Sequence, residues 1–210
     1  NLLLALCFGF VVWASQGGPM PTAELTFRQM ERTRFLARSE IMCTWETPLS
    51  VGKLGTSSAR TVLVGRYTDQ IAVGCLFQPN NPFGNRLTLW PREEGITPVP
   101  LSSLLQGEDG TLFHVLLFLE VPEEAAGAQA TITGRIENAK EPVETIQGER
   151  WADGVWAFWF PIDSALTTDG DLKYGTKDLE GLPYTLELYR TDGGPLTEQE
   201  GTLPENFQPG

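Results

Sequence analysis

Hydrophobic and polar positions follow three patterns that divide the chain into an apolar head, a short amphipathic segment and a long alternating region. Leu2 to Ala14 is an unbroken run of uncharged, mostly apolar residues. Glycine and proline interrupt the chain between Gly17 and Pro21 and end whatever helix precedes them. We therefore predict a hydrophobic anchor or assembly helix, with its breaker, over residues 1–21.

The next segment, 22–39, is predicted to be an amphipathic linker helix. Thr22 is a suitable N-cap, and the run from Ala23 to about Arg38 contains neither glycine nor proline. Phe27 and Met30 fall on one side of such a helix and would pack against the protein.

Residues 40–193 alternate between apolar and polar with a period of two, which predicts eight or nine β-strands. The segments 111–121 and 154–160 are apolar on both faces, as in a central strand. No long helical pattern separates the strands, so the predicted fold class is mainly β: an antiparallel, two-sheet β-sandwich domain. The remaining residues, 194–210, are polar and rich in breakers, which predicts a tail that is disordered or lies along a partner.

Two family resemblances follow from these patterns. The run from Ala130 to Thr191 resembles the rhythm of strand, turn, aromatic strand, loop and strand of bacterial immunoglobulin-like modules, which implies an immunoglobulin-like sandwich. A hydrophobic N-terminal helix ahead of a β domain also resembles pilin subunits, whose N-terminal helices bundle in a filament core. The apolar run here is short, lacks an early glutamate and is broken at Gly17, so a pilin-like filament subunit is an alternative interpretation.

Charge is unevenly distributed over the 210 residues. The net charge is −12, which disfavours nucleic acid as a partner. Residues 1–20 carry no charge, residues 21–66 carry +3, and the remainder carries −15. These differences suggest that the three segments have different surroundings.

The apolar head predicts the secretory route or a membrane. A secretory signal peptide and a retained anchor both fit, and we favour the anchor because the chain begins at Asn1 and the segment after Ala14 is a poor cleavage site. Basic flanks favour the cytoplasmic side, whereas the acidic, lysine-poor body favours an extracytoplasmic domain in the periplasm or at the cell surface. We expect the extracytoplasmic location.

The predicted linker helix contributes four arginines that would meet anionic headgroups or an acidic partner: Arg28, Arg32, Arg34 and Arg38.

The sequence offers little for catalysis. His114 is the only histidine and lies among apolar residues, where a core position is expected. No nucleophile elbow, phosphate loop or dinucleotide-binding motif occurs, and one histidine with three scattered cysteines cannot form an ordinary transition-metal site. A calcium loop at Asp169, Asp171 and Glu180 departs far from the known pattern. We predict no enzyme activity and no cofactor.

Two further sets of residues, a cysteine pair and an aromatic cluster, are candidates for a structural or binding role. Cys43 and Cys75 have the inward parity of their strands, and Ile41 is expected to share the face of Cys43. The two cysteines form either a disulfide or two buried thiols. The aromatic cluster Trp151, Trp156 and Trp159 predicts core packing, a protein interface or a platform for sugars. Strand alternation places Trp156 on one face and Trp159 on the other. Together the patterns predict a non-catalytic, membrane-anchored structural subunit that forms homo- or hetero-oligomers with other protein subunits. A carbohydrate- or other ligand-binding module is the second alternative.

Overall fold

The computed structural model describes residues 2–15, 20, 22–48, 59–77, 85–101, 104–132, 144–161, 179 and 181–204. Two helices precede the β region: α1 spans Leu2–Ser15 and α2 spans Ala23–Thr33. The strands of the described residues are, in chain order, β1 Glu40–Glu46, β2 Thr61–Arg66, β3 Gln70–Leu76, β4 Arg86–Pro91, β5 Thr97–Pro100, β6 Leu105–Gln106, β7 Leu112–Leu119, β8 Gly127–Ile132, β9 Glu144–Gln147, β10 Glu149–Ala152, β11 Val155–Pro161, β12 Pro183–Tyr189 and β13 Pro195–Thr202.

These strands form three antiparallel sheets, which confirms the mainly β, antiparallel prediction. The first sheet is a meander in the order β1-β2-β3-β4. The middle sheet has the order β10-β11-β7-β5, with β6 also paired to β7. The third sheet has the order β13-β12-β8-β9. The sequence analysis predicted two sheets, and the described residues form three.

The middle sheet is covered on both faces, because its two long strands are apolar at every position except His114. One face of β7 and β11 presents Val115, Leu117 and Ala157 to the first sheet. The opposite face presents Phe118 and Phe158 to the third sheet. This arrangement confirms the prediction that the segments 111–121 and 154–160 are central strands, and it explains why two sheets were not sufficient to cover them.

Helix α2 covers the outer face of the first sheet. Phe27 is fully buried there with Leu63 and Leu87. Its ring packs against the bare backbone of Gly74, where a Cβ atom would lie 2.5 Å from the ring. The layers are therefore α2, the first sheet, the middle sheet and the third sheet, and the amphipathic face predicted for α2 packs on its own domain.

Local structure departs from the sequence predictions in three places. Helix α2 ends at Thr33 rather than near Arg38. Ile41 does not share a face with Cys43, because a β-bulge between them turns Ile41 toward the α2 side of the sheet. The segment predicted as a polar tail contains β13, which pairs with β12 through backbone hydrogen bonds that do not depend on side-chain polarity.

Candidate interaction surfaces

Helix α1 exposes apolar side chains along its length. Leu2 is 78% exposed and Val12 is 39% exposed, and the other exposed large apolar residues of α1 are Leu3, Leu4, Leu6, Phe8 and Val11. None of the three buried clusters of described residues contains a residue of α1. The core formed by the described residues of the β region therefore contains no α1 side chain, and an exposed apolar surface of this size is typical of a segment covered by a membrane or a partner. Among the described residues, no helix combines the length and apolarity needed to cross a bilayer.

A buried polar network joins α2 to the first sheet. Glu31 is only 1% exposed, and its carboxylate accepts hydrogen bonds from Arg28 Nη1 at 2.8 Å and from the Tyr67 hydroxyl at 2.7 Å. The backbone N–H of Ser39 donates to the same carboxylate at 3.1 Å. Arg28 also donates to the Ser39 carbonyl at 2.9 Å. Arg28, which the sequence suggested as an interaction residue, thus makes its polar contacts inside the protein.

The charge state of Glu31 is set by this network. Burial by itself would raise the pKa of the carboxyl group. The hydrogen bonds from Ser39, Arg28 and Tyr67 outweigh burial and lower the pKa below its ordinary value. The same carboxylate, together with burial, raises the pKa of the Tyr67 phenol. Glu31 is therefore ionised and holds α2 against the sheet at neutral pH.

The segment that follows α2 is exposed and basic. The side chains of Arg32, Arg34 and Arg38 are exposed, and only Arg38 has an ion pair among the described residues, 3.6 Å from Glu24. Phe35 lies between them with its side chain 98% exposed. We call these four residues, Arg32, Arg34, Phe35 and Arg38, the basic segment.

Phe35 occupies a position that usually requires glycine. Its φ angle is 57°, in the left-handed region. The Phe35 N–H donates to the carbonyl of Arg32 and the Leu36 N–H donates to the carbonyl of Glu31, which is the Schellman pattern that ends a helix. A non-glycine residue in this conformation costs about 1–2 kcal/mol. Leu36 turns inward and packs on the apolar cluster that Phe27 forms with Leu63 and Leu87, which we call the α2 cluster. The turn therefore directs Phe35 outward.

An open groove of about 890 Å³ borders the basic segment and is lined partly by Arg38, Arg66 and Arg92. Two of these arginines are paired internally: Glu120 accepts from Arg92 Nη2 at 2.6 Å and from Arg66 Nη1 at 3.1 Å. Although burial opposes it, these two arginines lower the pKa of Glu120 below its ordinary value. The cations of the groove are thus largely neutralised by the protein itself, and the groove is a weak candidate for anion binding.

A tryptophan cluster lies between the first and middle sheets at the β1 and β10 edges. Trp45 of β1 stacks on Trp151 of β10, with ring centroids 4.7 Å apart and an interplanar angle of 13°. Trp159 contacts both rings edge-on, and Phe113 contacts Trp159 at 5.6 Å. All four side chains are half-buried. We call Trp45, Phe113, Trp151 and Trp159 the tryptophan cluster.

The cluster also has polar functionality. Trp159 Nε1 donates to Glu149 Oε2 at 3.0 Å. The Nε1 of Trp151 is buried and has no hydrogen-bond partner. Partly exposed aromatic rings with a neighbouring carboxylate can stack on an apolar face and bind a polar group, as an interface or a sugar platform would require.

The structure divides the three predicted tryptophans between two faces. Trp151 and Trp159 belong to the tryptophan cluster, whereas Trp156 points the other way into the core with Phe158 and is not available for interaction. The strand alternation predicted this division correctly. Sequence reasoning missed Trp45 as a cluster member, because it belongs to a different sheet and approaches Trp151 only through sheet packing.

All three cysteines lie in described residues, and none of them forms a disulfide there. Cys43 and Cys75 are both buried on the predicted inward face, but β2 lies between their strands. Two strand spacings correspond to about 9–10 Å, beyond the Cα separation of a disulfide. Burial raises the pKa of Cys43 to about 11, which suppresses thiolate chemistry. Of the two alternatives that the sequence left open, the arrangement therefore supports two buried thiols over a disulfide.

Residues considered for catalysis do not gather into a site in the part of the chain that the structure describes. His114 is buried on β7. No group of three or more metal-ligating side chains occurs among the described residues, and the calcium candidates Asp169, Asp171 and Glu180 lie outside them. Comparisons with protein-family models, curated proteins and solved structures found no match to this chain.

Proposed function

We propose that this protein is a non-catalytic subunit that is anchored to a membrane by α1 and presents its β domain to other protein subunits on the extracytoplasmic side. The observation that carries the proposal is the exposed apolar surface of α1, no residue of which belongs to the buried clusters of the described β region. Exposed leucine, valine and phenylalanine side chains gain about 25 cal/mol for each Å² removed from water. A bilayer or a bundle of apolar helices would supply that environment.

The β domain supports the interaction part of the proposal. The tryptophan cluster gives the β domain a half-buried aromatic surface at the edges of two sheets. Partly buried tryptophans are enriched where proteins bind one another. An immunoglobulin-like topology for the middle and third sheets belongs to this proposal, and their face-to-face packing is compatible with it.

A membrane-partition experiment tests the anchor. The full chain is mixed with lipid vesicles and floated through a density gradient, together with a Leu6→Glu/Phe8→Glu variant. The matched control is Thr197→Glu/Thr202→Glu, which adds the same charge to exposed positions of β13. We expect the wild type and the control to float and the α1 variant to stay at the bottom. Flotation of all three proteins, or of none, contradicts the proposal.

A second experiment tests the interaction role. Gentle extraction of the native membrane, size separation and mass spectrometry are applied to the wild type and to a Trp151→Ala/Trp159→Ala variant. Migration with other subunits that is lost in the variant, while the near-ultraviolet spectrum of the fold persists, supports an interface. Migration of the wild type alone as a 23.2 kDa species contradicts it. Filaments of this chain seen by electron microscopy would favour the pilin-like alternative.

The tryptophan cluster also supports a second candidate function, carbohydrate binding. Its half-buried rings offer apolar faces for sugar C–H groups, and Glu149 provides an acceptor beside Trp159. A glycan array separates the two interpretations. Binding that disappears in Trp151→Ala favours the sugar platform, whereas an array without binding removes it.

A further inference from the structure

We propose that the basic segment is a membrane-docking surface in which Phe35 inserts among the headgroups of an anionic lipid bilayer while Arg32, Arg34 and Arg38 contact lipid phosphates. This inference rests on the proposed function, because α1 is what brings the segment to the membrane. It goes beyond that function by assigning a second contact and an orientation of the β domain.

The conformation of Phe35 is the first argument. The residue combines a left-handed φ of 57° with 98% exposure of an aromatic side chain, so in the isolated chain it is unfavourable both for the backbone and for hydration. Glycine would end the helix at this position without either cost. Transfer of the ring into the interfacial region of a bilayer removes the hydration cost and gives the residue a role that glycine could not fill.

The charges around Phe35 are the second argument. Arg32, Arg34 and Arg38 are all exposed, and neither Arg32 nor Arg34 has an ion pair among the described residues. Residues 21–66 carry +3, whereas the residues that follow carry −15. An anionic surface therefore attracts the basic segment and repels the rest of the β domain, which selects one orientation. An acidic protein partner would share the charge preference but does not account for a single protruding aromatic ring, since protein interfaces are built around broader packed surfaces.

The distance to α1 is the third argument. Seven residues separate the end of α1 from the start of α2, so these two points lie within about 28 Å of each other. A segment tethered this close to a membrane has a high effective concentration at its surface, and a weak contact is enough to keep it docked.

Spin labels on the full chain test the docking surface. One label is placed at Ala37→Cys, an exposed position beside Phe35, in a Cys7→Ser background, and a control label is placed at Thr197→Cys in β13. Cys43 and Cys75 are buried and stay unlabelled. The proteins are bound to vesicles of neutral lipid or of neutral lipid with phosphatidylserine. Accessibility of each label to a water-soluble nickel chelate and to oxygen is then measured.

We expect the label at residue 37 to be shielded from the chelate on anionic vesicles and exposed on neutral ones, while the control label stays exposed on both. Phe35→Ser should reduce the shielding. Arg32→Gln, Arg34→Gln and Arg38→Gln should each lower the docked-to-undocked ratio by about five-fold, and high salt should act in the same direction. Equal access of the chelate to residue 37 on both vesicles overturns the docking surface.

A label on the native Cys7 keeps the two proposals distinguishable. This cysteine is exposed on α1, so its accessibility to oxygen reports whether α1 enters the lipid. If the label on Cys7 is accessible to oxygen while the label at residue 37 is exposed to water, the proposed membrane anchor is supported and the proposed docking surface is refuted. A water-exposed Cys7 refutes the anchor, and residue 37 still reports separately on the basic segment.

Discussion

Replacing Phe35 with glycine is expected to stabilise the fold, although the change deletes a large apolar side chain. The side chain is 98% exposed, so its removal loses almost no packing. The φ angle of 57° is strained for phenylalanine and relaxed for glycine. Relief of about 1–2 kcal/mol in the folded state, set against about 0.4–1 kcal/mol for the greater freedom of glycine in the unfolded chain, leaves a net gain with a central value of about 0.8 kcal/mol.

Urea unfolding followed by intrinsic fluorescence measures this gain directly. For a chain of this size, the same gain raises the melting temperature by about 1–4 °C. Phe35→Ala is the matched control, because it removes the ring and keeps the Cβ atom that the left-handed conformation disfavours. Its free energy of unfolding should stay near that of the wild type.

Two results would refute the reasoning. A Phe35→Gly variant less stable than the wild type would mean that the ring makes contacts in the folded protein. Equal stability of the glycine and alanine variants would mean that the backbone at residue 35 is not in the left-handed region. The expected result implies that phenylalanine at position 35 makes the fold less stable than glycine would. Such a cost is consistent with a docking role for the exposed ring.

The remaining predictions concern the network, the core and the thiols. Glu31→Gln should lower the free energy of unfolding by about 3 kcal/mol, since it leaves Arg28 without its buried partner. Because the folded-state pKa of Glu31 is lowered, its contribution is present above the ordinary carboxyl pKa and is lost as the pH falls through the folded value. Urea unfolding from pH 7 down to about pH 3 should therefore show a smaller acid-induced loss in the variant, and an identical loss would contradict the assignment. Trp156→Ala should cost about 3–5 kcal/mol and Trp159→Ala about 1–2 kcal/mol in the same assay, because only the first side chain lies in the core, and the reverse order would refute the face assignment. Cys43 should react with a thiol reagent only after unfolding, and an intact mass that shows a disulfide would contradict the register.

The candidate surfaces show which features a local sequence pattern can predict and which it cannot. The opposite faces of Trp156 and Trp159 follow from the two-residue period of a strand, and the structure agrees. The contact between the rings of Trp45 and Trp159 does not follow from any local pattern, because it depends on how one sheet packs on another. The exposure of Phe35 is also decided by tertiary packing. No motif marks the residue, and its outward direction comes from Leu36 docking on the α2 cluster.

The division between sequence and tertiary structure has a physical reason. The sequence by itself determined the two helices, most of the strands and the two central segments 111–121 and 154–160, because helix caps and hydrophobic periodicity act between near neighbours along the chain. Only the tertiary structure decided that three sheets stack, that β2 separates Cys43 from Cys75, and that a bulge turns Ile41 to the other face. It also decided that β13 completes a sheet, since backbone hydrogen bonds between strands carry no signature in a polar sequence. These outcomes depend on contacts between residues distant in the chain, whose geometry is set by packing and not by local preference.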